Sequence, residues 1–363
     1  VQVTMETTGR MLVGSEIGAA LTSLASMKPD VLGLNCATGP GEMQEHLRYL
    51  AQYSPIPISV MPNAGLPTLV DGHTHYDLTP ADLARFHRHH VEDLGVRVVG
   101  GCCGTTPEHM RAVVDAVKGL TPAPLRPRVE PSVTSIYSPV TLQQDNSVLI
   151  IGERTNANGS RAFRDAMLAG DLDTCAKIAV EQIREGAHVL DVCVDYVGRD
   201  GTQDMAELAA RFATTASAPL VLDSTEPQVM EAALQHAGGR CILNSANLED
   251  GELPGSRLDR VFSLARDYGA AVICLLIDER GHKLKVLPLG EPVNVEGDLQ
   301  RLAQVAGNLL DNAARYTDTN GEIVLAAVKE RNFVTISVKD NGIGIAPESL
   351  SIVFDLFTQA HRT

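Results

Sequence analysis

Two adjacent cysteines, Cys102 and Cys103, lie among glycines in the stretch VVGGCCGTTP, directly after a short β-branched run, and Cys36 follows another such run in GLNCATGP. A disulfide between neighbours needs strained geometry, and seven cysteines without regular spacing do not indicate a disulfide framework. Catalysis, metal binding and core packing remain as alternatives. At the ends of parallel barrel strands three thiolates would suit Zn²⁺ and leave its fourth tetrahedral position open for a substrate.

A second set of polar side chains follows apolar runs in the middle of the chain. The runs VLIIGERTN, HVLDVCVDY, APLVLDSTE, RCILNSANL and AAVICLLIDE are typical of strands buried on both faces. Catalytic groups of parallel barrels sit at the carboxyl ends of strands, although a helix cap or loop ion pair is the alternative for each carboxylate. The pattern predicts a binding site that includes Glu153, Asn156, Asp191, Asp195, Asp223, Asn244 and Asp278.

The spacing of apolar residues divides the chain into three patterned regions and a linker. Residues 1–121 and 146–281 alternate strand-like runs with amphipathic helical stretches, which is the βα pattern of a parallel sheet or barrel. Residues 122–145 are rich in proline and are predicted to be an extended linker. Residues 282–363 instead contain one long amphipathic helix and two alternating strands typical of a hairpin. The apolar stripe of that helix contains Leu302, Val305, Leu309 and Ala313.

Composition restricts the class of protein. The chain has 44% hydrophobic and 21% charged residues, as ordinary globular enzymes do. A net charge of −15 argues against a nucleic-acid partner, which would require clustered Lys and Arg. No apolar run approaches the roughly 20 residues of a membrane span, and no signal peptide is visible. We therefore expect a cytoplasmic enzyme, and the opening VQVTMETTG, without an initiator Met, indicates a fragment of a longer protein.

Histidines in the stretch FHRHHVEDL raise the question of a further metal site. His87 and His90 are three residues apart, as on one face of a helix. No carboxylate or cysteine stands at a coordinating distance along the sequence, so a solvated basic helix face is the preferred interpretation.

The stretches ETTGRMLVGSEIGAAL, GLNCATGP, VMPNAGLP and VVGGCCGTTPEH closely resemble, in that order, the second half of a homocysteine S-methyltransferase barrel. The resemblance implies that Cys36, Cys102 and Cys103 are zinc ligands. Zinc would hold the homocysteine thiol as a thiolate nucleophile at neutral pH.

The stretches IGERTNANGS, VLDVCVDYVG, VLDSTEP and CILNSAN resemble the pterin-binding domain of cobalamin-dependent methionine synthases. The resemblance implies methyltetrahydrofolate as substrate, and cobalamin held on a module that this sequence lacks. It further implies that Asp223 and Asn244 are catalytic and that Asn244 responds to protonation at N5 of the pterin. The implied substrate contacts are Glu153, Asn156, Asp223 and Asn244, with Asp191 and Asp195 lining the site.

The stretches NLLDNAARYT, VKDNGIGI and VFDLFTQ resemble the N, G1 and F boxes of histidine kinase ATP-binding domains. The resemblance implies a Mg-ATP site. We expect weak ATP binding or none, because the sequence shows no second glycine box and no ATP lid. The implied contacts are Asn308 and Asn312 to the Mg²⁺-phosphate group, Arg315 and Tyr316 near phosphates and base, Asp340 to adenine, and Gly342 and Gly344 at the nucleotide.

These observations predict an α/β protein with two incomplete (β/α)8 barrels of the TIM type, followed by a partial α+β domain of the histidine kinase ATPase type. The predicted function is methyl transfer of the methionine synthase type, from methyltetrahydrofolate through cobalamin to homocysteine. A sensor histidine kinase fragment is the first alternative, and an inactive recombined gene with a join near Arg280 is the second.

Overall fold

The computed structural model describes residues 1–144, 148–247, 251, 253–275, 282–287, 299–330 and 333–345. Contacts divide the chain into two compact units. Unit 1 comprises Val1–Ser245 and Asp259–Ile273, and unit 2 comprises Ala246–Leu258 and Cys274–Thr363.

The described residues form sixteen strands and ten helices. The strands are β1 Gln2–Val3, β2 Leu32–Asn35, β3 Ile58–Met61, β4 Pro67–Val70, β5 His73–Tyr76, β6 Val98–Val99, β7 Ser132–Thr134, β8 Pro139–Thr141, β9 Ile151–Gly152, β10 Val189–Cys193, β11 Leu220–Asp223, β12 Ile242–Ala246, β13 Ala271–Cys274, β14 Lys283–Leu287, β15 Glu322–Glu330 and β16 Phe333–Asp340. The helices are α1 Ile17–Ser26, α2 Gln44–Tyr53, α3 Pro80–Glu92, α4 Pro107–Val117, α5 Arg161–Leu168, α6 Leu172–Arg184, α7 Gly201–Thr215, α8 Pro227–His236, α9 Arg257–Tyr268 and α10 Leu299–Tyr316.

Two parallel sheets confirm the predicted βα organisation. The first has the order β1-β2-β3-β6 and the second the order β13-β12-β11-β10-β9. Every residue of β10 is buried, as expected for a strand covered on both faces. The core of the first sheet is built from β-branched and aliphatic side chains such as Leu34, Ile58 and Val60, none of which is exposed. In each of the two sheets the carboxyl ends of the parallel strands therefore lie at the same edge, and polar residues follow the strands there.

Local sequence signals start the helices that flank the sheets. Thr79 caps α3 by accepting a hydrogen bond from the backbone N–H of Asp82, and Pro80 follows as the first helical residue. Thr106 and His109 form a reciprocal capping box at α4, which begins just after the adjacent cysteines. These caps fix where each loop at the carboxyl edge ends.

Part of the predicted linker is folded. Strands β7 and β8 pair antiparallel within residues 122–145, and Val133 packs in the core of the second sheet. Proline-rich composition did not indicate this hairpin because Pro139 stands at the first position of its strand, where its missing N–H is tolerated.

The predicted solvated face of α3 is wrong at His87 and His90. Both side chains are fully buried. They continue a helical stripe with Leu83 and Val91, which are buried on the same side of α3. The spacing of these four residues is typical of a helix face that packs in the core. The polar character of histidine favoured the solvated interpretation instead.

The described part of unit 2 confirms the predicted hairpin. Strands β15 and β16 pair antiparallel, and β14 lies parallel to β15. Along α10 only Ala313 of the predicted apolar stripe is buried, while Leu302, Val305 and Leu309 are 45, 59 and 39% exposed. No helix in the described ranges is both long and apolar enough to span a membrane.

Candidate functional site

Three cysteine sulfurs meet at the carboxyl edge of the first sheet. The Sγ of Cys36 lies 3.0 Å from that of Cys102 and 3.6 Å from that of Cys103, and the last two are 3.9 Å apart. All three thiols are free. Among the His, Cys, Asp and Glu side chains of the described residues, these three cysteines lie close enough together to hold one metal ion, with all three sulfurs within 4.8 Å of one another.

Backbone hydrogen bonds position the three cysteines. Cys36 comes directly after β2, and its N–H donates to the carbonyl of Met61 at 3.1 Å. The N–H of Cys102 donates to the carbonyl of Pro62 at 2.8 Å, and that of Cys103 to Oδ1 of Asn63 at 3.1 Å. The last residue of β3 and the two residues after it therefore hold Cys36, which follows β2, against the two cysteines of the β6–α4 loop.

The thiols differ in their affinity for a proton. The hydrogen bond from Cys102 lowers the pKa of Cys36, while the same bond, together with burial, raises the pKa of Cys102 to about 11. The two sulfurs therefore share one proton in this hydrogen bond. A cation that replaced the shared proton would be bound by preformed ligands.

The donor set fits zinc. Tetrahedral Zn–S bonds of about 2.3 Å place sulfurs about 3.8 Å apart, close to the two longer separations. The shorter Cys36–Cys102 separation reflects the shared hydrogen bond and would widen on metal binding. Cys103 is exposed, which leaves a side of the cluster open to an incoming thiol.

A polar cluster occupies the carboxyl edge of the second sheet. Asp223 ends β11 and lies in register with Cys193 of β10 and with Asn244 of β12. Asn156, in the loop after β9, donates from Nδ2 to Asp191 at 2.8 Å and to Asp223 at 3.1 Å. Four of the predicted residues, Asn156, Asp191, Asp223 and Asn244, therefore lie on neighbouring strands or directly beside them.

Asp191 is a carboxyl group of this cluster with a perturbed pKa. Burial raises its pKa to about 6, and the charges of Asp223 and Glu153 add to the increase, whereas the Asn156 hydrogen bond opposes it. Its Oδ1 is buried without a partner among the described residues. A carboxyl group poised near neutral pH is suited to bind or release a proton.

Asp195 and Glu153 lie differently. Asp195 accepts hydrogen bonds from the hydroxyl of Ser224 at 2.7 Å and from the N–H of Thr225 at 2.9 Å, so it holds the turn after β11. Glu153 is exposed in the loop after β9. Asp278 lies outside the described residues.

Several residues that position these clusters were not singled out from the sequence. Thr155 donates to the backbone carbonyl of Asp191 at 2.6 Å, and Gln182 donates to Thr155 and accepts from the N–H of Arg154. Asn63 and Tyr76 contact the cysteine cluster. Asn63 stands in the quoted VMPNAGLP stretch, whereas nothing in the sequence around Tyr76 indicated a role.

The predicted nucleotide residues lie on two elements of unit 2. Asn308, Asn312, Arg315 and Tyr316 are on α10. Asp340 ends β16 and accepts at Oδ1 from the N–H of Gly342 at 2.9 Å. A Cβ atom at Gly342 would lie 2.2 Å from the carbonyl oxygen of Tyr316, so glycine is required for this close approach. The F box lies outside the described residues.

Three protein families match parts of the chain. Residues 1–117 match the homocysteine S-methyltransferase family, residues 152–314 match the pterin binding enzymes, and residues 297–363 match the family of histidine kinase-, DNA gyrase B- and HSP90-like ATPases. The chain thus combines methyltransferase-type and pterin-type α/β regions with an ATPase-type tail.

The particular relatives are methionine synthases. The chain is 54% identical over 279 residues to that of Mycobacterium tuberculosis and 53% identical over 286 residues to that of Mycobacterium leprae, in each case over 77% of this chain. It spans 23 and 24% of the length of these relatives. A dihydropteroate synthase structure from Xanthomonas albilineans aligns with 51% of this chain and 59% of its own, at 17% identity and a TM-score of 0.30, too low to carry an argument.

Proposed function

We propose that the chain carries the thiol-activating and pterin-binding sites of a methyl transfer from methyltetrahydrofolate to homocysteine, as in methionine synthases. The convergence of Cys36, Cys102 and Cys103 from separate strands carries this proposal. These three residues would hold Zn²⁺, which lowers the pKa of a bound thiol and makes it a nucleophile at neutral pH. The open side of the cluster at Cys103 would admit homocysteine.

The pterin site is assigned to the second sheet. The side chains that would contact the amide and amino groups of the pterin ring are Glu153, Asn156, Asp223 and Asn244, and Asp191 would line the site. By the resemblance to methionine synthases, Asp223 and Asn244, which lie in register on β11 and β12, would be catalytic, and Asn244 would respond to protonation at N5 of the pterin. Asp195 would act by holding the turn that follows Asp223.

A cobalamin-binding module is the partner that this assignment requires as methyl carrier between the two sites. The free thiols of the metal cluster fit a reducing compartment, which supports a cytoplasmic location.

Zinc content tests the thiol site. Purified chain dialysed against Zn²⁺ should retain metal that a chelator removes, in less than stoichiometric amount, and Cys102→Ser should abolish retention. Cys274→Ser, which alters an exposed cysteine of unit 2, is the control. Unchanged zinc in a triple Cys36→Ser, Cys102→Ser, Cys103→Ser variant would refute the assignment.

Ligand binding tests the pterin site. Calorimetry should detect methyltetrahydrofolate binding that Asp223→Asn or Asn244→Ala weakens at least tenfold. Asp173→Asn, at an exposed carboxylate on α6 paired with Arg211, should bind as the wild type does. Equal affinities in all four proteins would contradict the placement of this site.

A second candidate function, nucleotide binding, is favoured by the ATPase-family match and by the Asp340–Gly342 turn. We propose that Asn308 and Asn312 would face Mg²⁺-phosphate, Arg315 and Tyr316 the phosphates and base, and Asp340 the adenine amino group, while Gly342 and Gly344 admit the nucleotide. Binding is expected to be weak. Micromolar Mg-ATP affinity lost in Asp340→Asn would strengthen the histidine kinase alternative.

A further inference from the structure

One buried side chain of α6 is polar where the rest of its face is apolar. The buried residues of this helix, which contacts β10, are Cys175, Ala176, Ala179 and Gln182. Gln182 is only 3% exposed. Burial of an amide costs free energy unless the amide is hydrogen-bonded, so the partners of Gln182 indicate its role.

The Gln182 amide binds two consecutive residues of the loop after β9. Its Oε1 accepts a hydrogen bond from the N–H of Arg154 at 2.7 Å, and its Nε2 donates to Oγ1 of Thr155 at 3.3 Å. Gly152, the last residue of β9, leaves room for this amide, because a Cβ atom there would lie 2.7 Å from Oε1. Gln182 therefore holds the two residues that directly precede Asn156.

Thr155 continues this set of hydrogen bonds to β10. Its side chain is fully buried, and its hydroxyl donates to the backbone carbonyl of Asp191 at 2.6 Å. Its own carbonyl accepts from the N–H of Cys193 at 3.3 Å. Since the hydroxyl has one proton and has given it to Asp191, its lone pairs can accept the hydrogen bond from Gln182. The next residue, Asn156, then reaches carboxyl groups on β10 and β11.

We propose that Gln182 is a positioning residue of the pterin site, which holds the loop after β9 so that the Asn156 amide is directed at Asp191 and Asp223 before a ligand arrives. The inference deepens the proposed function and rests on it for the identity of the ligand. A side chain that is already ordered loses less conformational entropy on binding. Both ends of the Gln182 amide are bonded to the loop, so Gln182 acts on ligand affinity through Asn156.

The substitution Gln182→Met keeps a long, unbranched side chain on α6 and removes both hydrogen bonds. In the full chain we expect the affinity for methyltetrahydrofolate, measured by calorimetry, to fall about tenfold, which corresponds to the net contribution of one hydrogen bond. Gln235→Met is the matched control. It alters an exposed glutamine in the last turn of α8 that donates to the Tyr268 hydroxyl at 3.3 Å, and it should bind as the wild type does.

A double-mutant cycle separates positioning from a general loss of packing. In an Asn156→Ala background, Gln182→Met should cause little further loss of affinity, because the group that Gln182 positions is gone. An undiminished loss in that background would overturn the inference, and so would wild-type affinity in the Gln182→Met single variant.

The side-chain amide of Asn156 provides a readout that needs no ligand. In chain made with isotope-labelled asparagine, its nuclear magnetic resonance signals are identified by their disappearance in Asn156→Ala. Gln182→Met should shift these signals, whereas Gln235→Met should leave them in place. Unshifted signals in Gln182→Met would overturn the positioning role. If the wild type binds no methyltetrahydrofolate and Gln182→Met still shifts the signals, the proposed function fails while the positioning of Asn156 by Gln182 stands.

Discussion

The imidazole rings of His87 and His90 meet edge to face in the interior of unit 1, with centroids 5.5 Å apart. Nε2 of His87 is 2.8 Å from the carbonyl oxygen of Gly100, two residues before the first of the adjacent cysteines. Among the described residues, Nδ1 of His87 and both ring nitrogens of His90 are buried without a partner. His87 therefore holds the backbone just before the adjacent cysteines. Protonation of either buried ring would cost free energy.

Acid should destabilise the chain through this pair. Burial lowers the pKa of His87 to about 4 and that of His90 to about 3. As pH falls below about 6.5, the unfolded chain binds protons that the folded chain cannot. Each histidine should then reduce the free energy of unfolding by about 1.4 kcal/mol per pH unit, down to about pH 4 for His87 and about pH 3 for His90.

Urea unfolding of wild type and His90→Phe between pH 8 and pH 5 measures this effect. The variant should show a smaller loss on acidification, and the pH 8 values, where neither form is protonated, correct for altered packing. Parallel pH profiles for the two proteins would contradict the prediction.

Asn156 should matter more at high pH than at low pH. Its amide donates to Asp191 and Asp223, and the pKa of Asp191 is raised to about 6. Above pH 6 the Asp191 carboxylate is charged and needs that donor, whereas below pH 6 Asp191 is protonated in the folded chain. Asn156→Leu should cost about 2 kcal/mol of unfolding free energy at pH 8 and clearly less at pH 5.

Asn158→Leu is the control for this experiment, because the Asn158 amide in the same loop donates to Cys193 instead. Denaturant titrations at both pH values give the comparison. If the loss of unfolding free energy caused by Asn156→Leu did not vary with pH, the charge of Asp191 would not contribute to that loss, and the prediction would be wrong.

Loss of the Asp195 carboxylate should loosen the turn after β11. Asp195→Ala removes acceptors for Ser224 and Thr225, and we expect a stability loss of about 1–3 kcal/mol. Methyltetrahydrofolate affinity should fall less than in Asp223→Asn, because Asp195 acts through the turn. Unfolding curves and calorimetry on the same preparations check both parts, and a larger affinity loss than in Asp223→Asn would place Asp195 in contact with the ligand.

Close strand packing makes Gly33 intolerant of a side chain. A Cβ atom there would lie 2.0 Å from Oγ and 2.1 Å from the carbonyl oxygen of Ser59 on the neighbouring strand. Gly33→Ala should destabilise the chain by about 1–3 kcal/mol or more and weaken zinc retention, since Cys36 follows the same strand. Gly41→Ala, whose Cβ would meet only Phe86 at 3.9 Å, is the control. Equal unfolding midpoints for the two variants would reject this prediction.

The parallel strands and the polar residues that follow them were predictable from the sequence, because apolar runs ending in Asp, Asn or Cys report both burial and the edge of the sheet. The convergence of Cys36 with Cys102 followed from the same logic. His87 and His90 were misassigned because residue type suggested solvent, whereas their spacing matched Leu83 and Val91. The β4–β5 hairpin was missed because its strands are exposed and pack little.

Residues 122–145 show a further limit of structure prediction from the sequence. Its hairpin depends on contacts with residues far along the chain, such as the pairing of Thr134 with Arg240, which no local pattern records. The hydrogen-bond partners of Asp195 likewise depended on the turn beyond β11, thirty residues away.

The cysteine cluster has a consequence for the order of events during folding. Cys36 is 66 and 67 residues away from Cys102 and Cys103 in sequence, and the three sulfurs meet only when β2, β3 and β6 have paired. Pairing of distant parallel strands is slow because loop-closure entropy is lost before contacts compensate for it. In a refolding experiment, metal uptake would therefore begin only after the sheet has assembled. Newly made chains would pass through an interval in which the three thiols are present but no site yet exists to hold an ion.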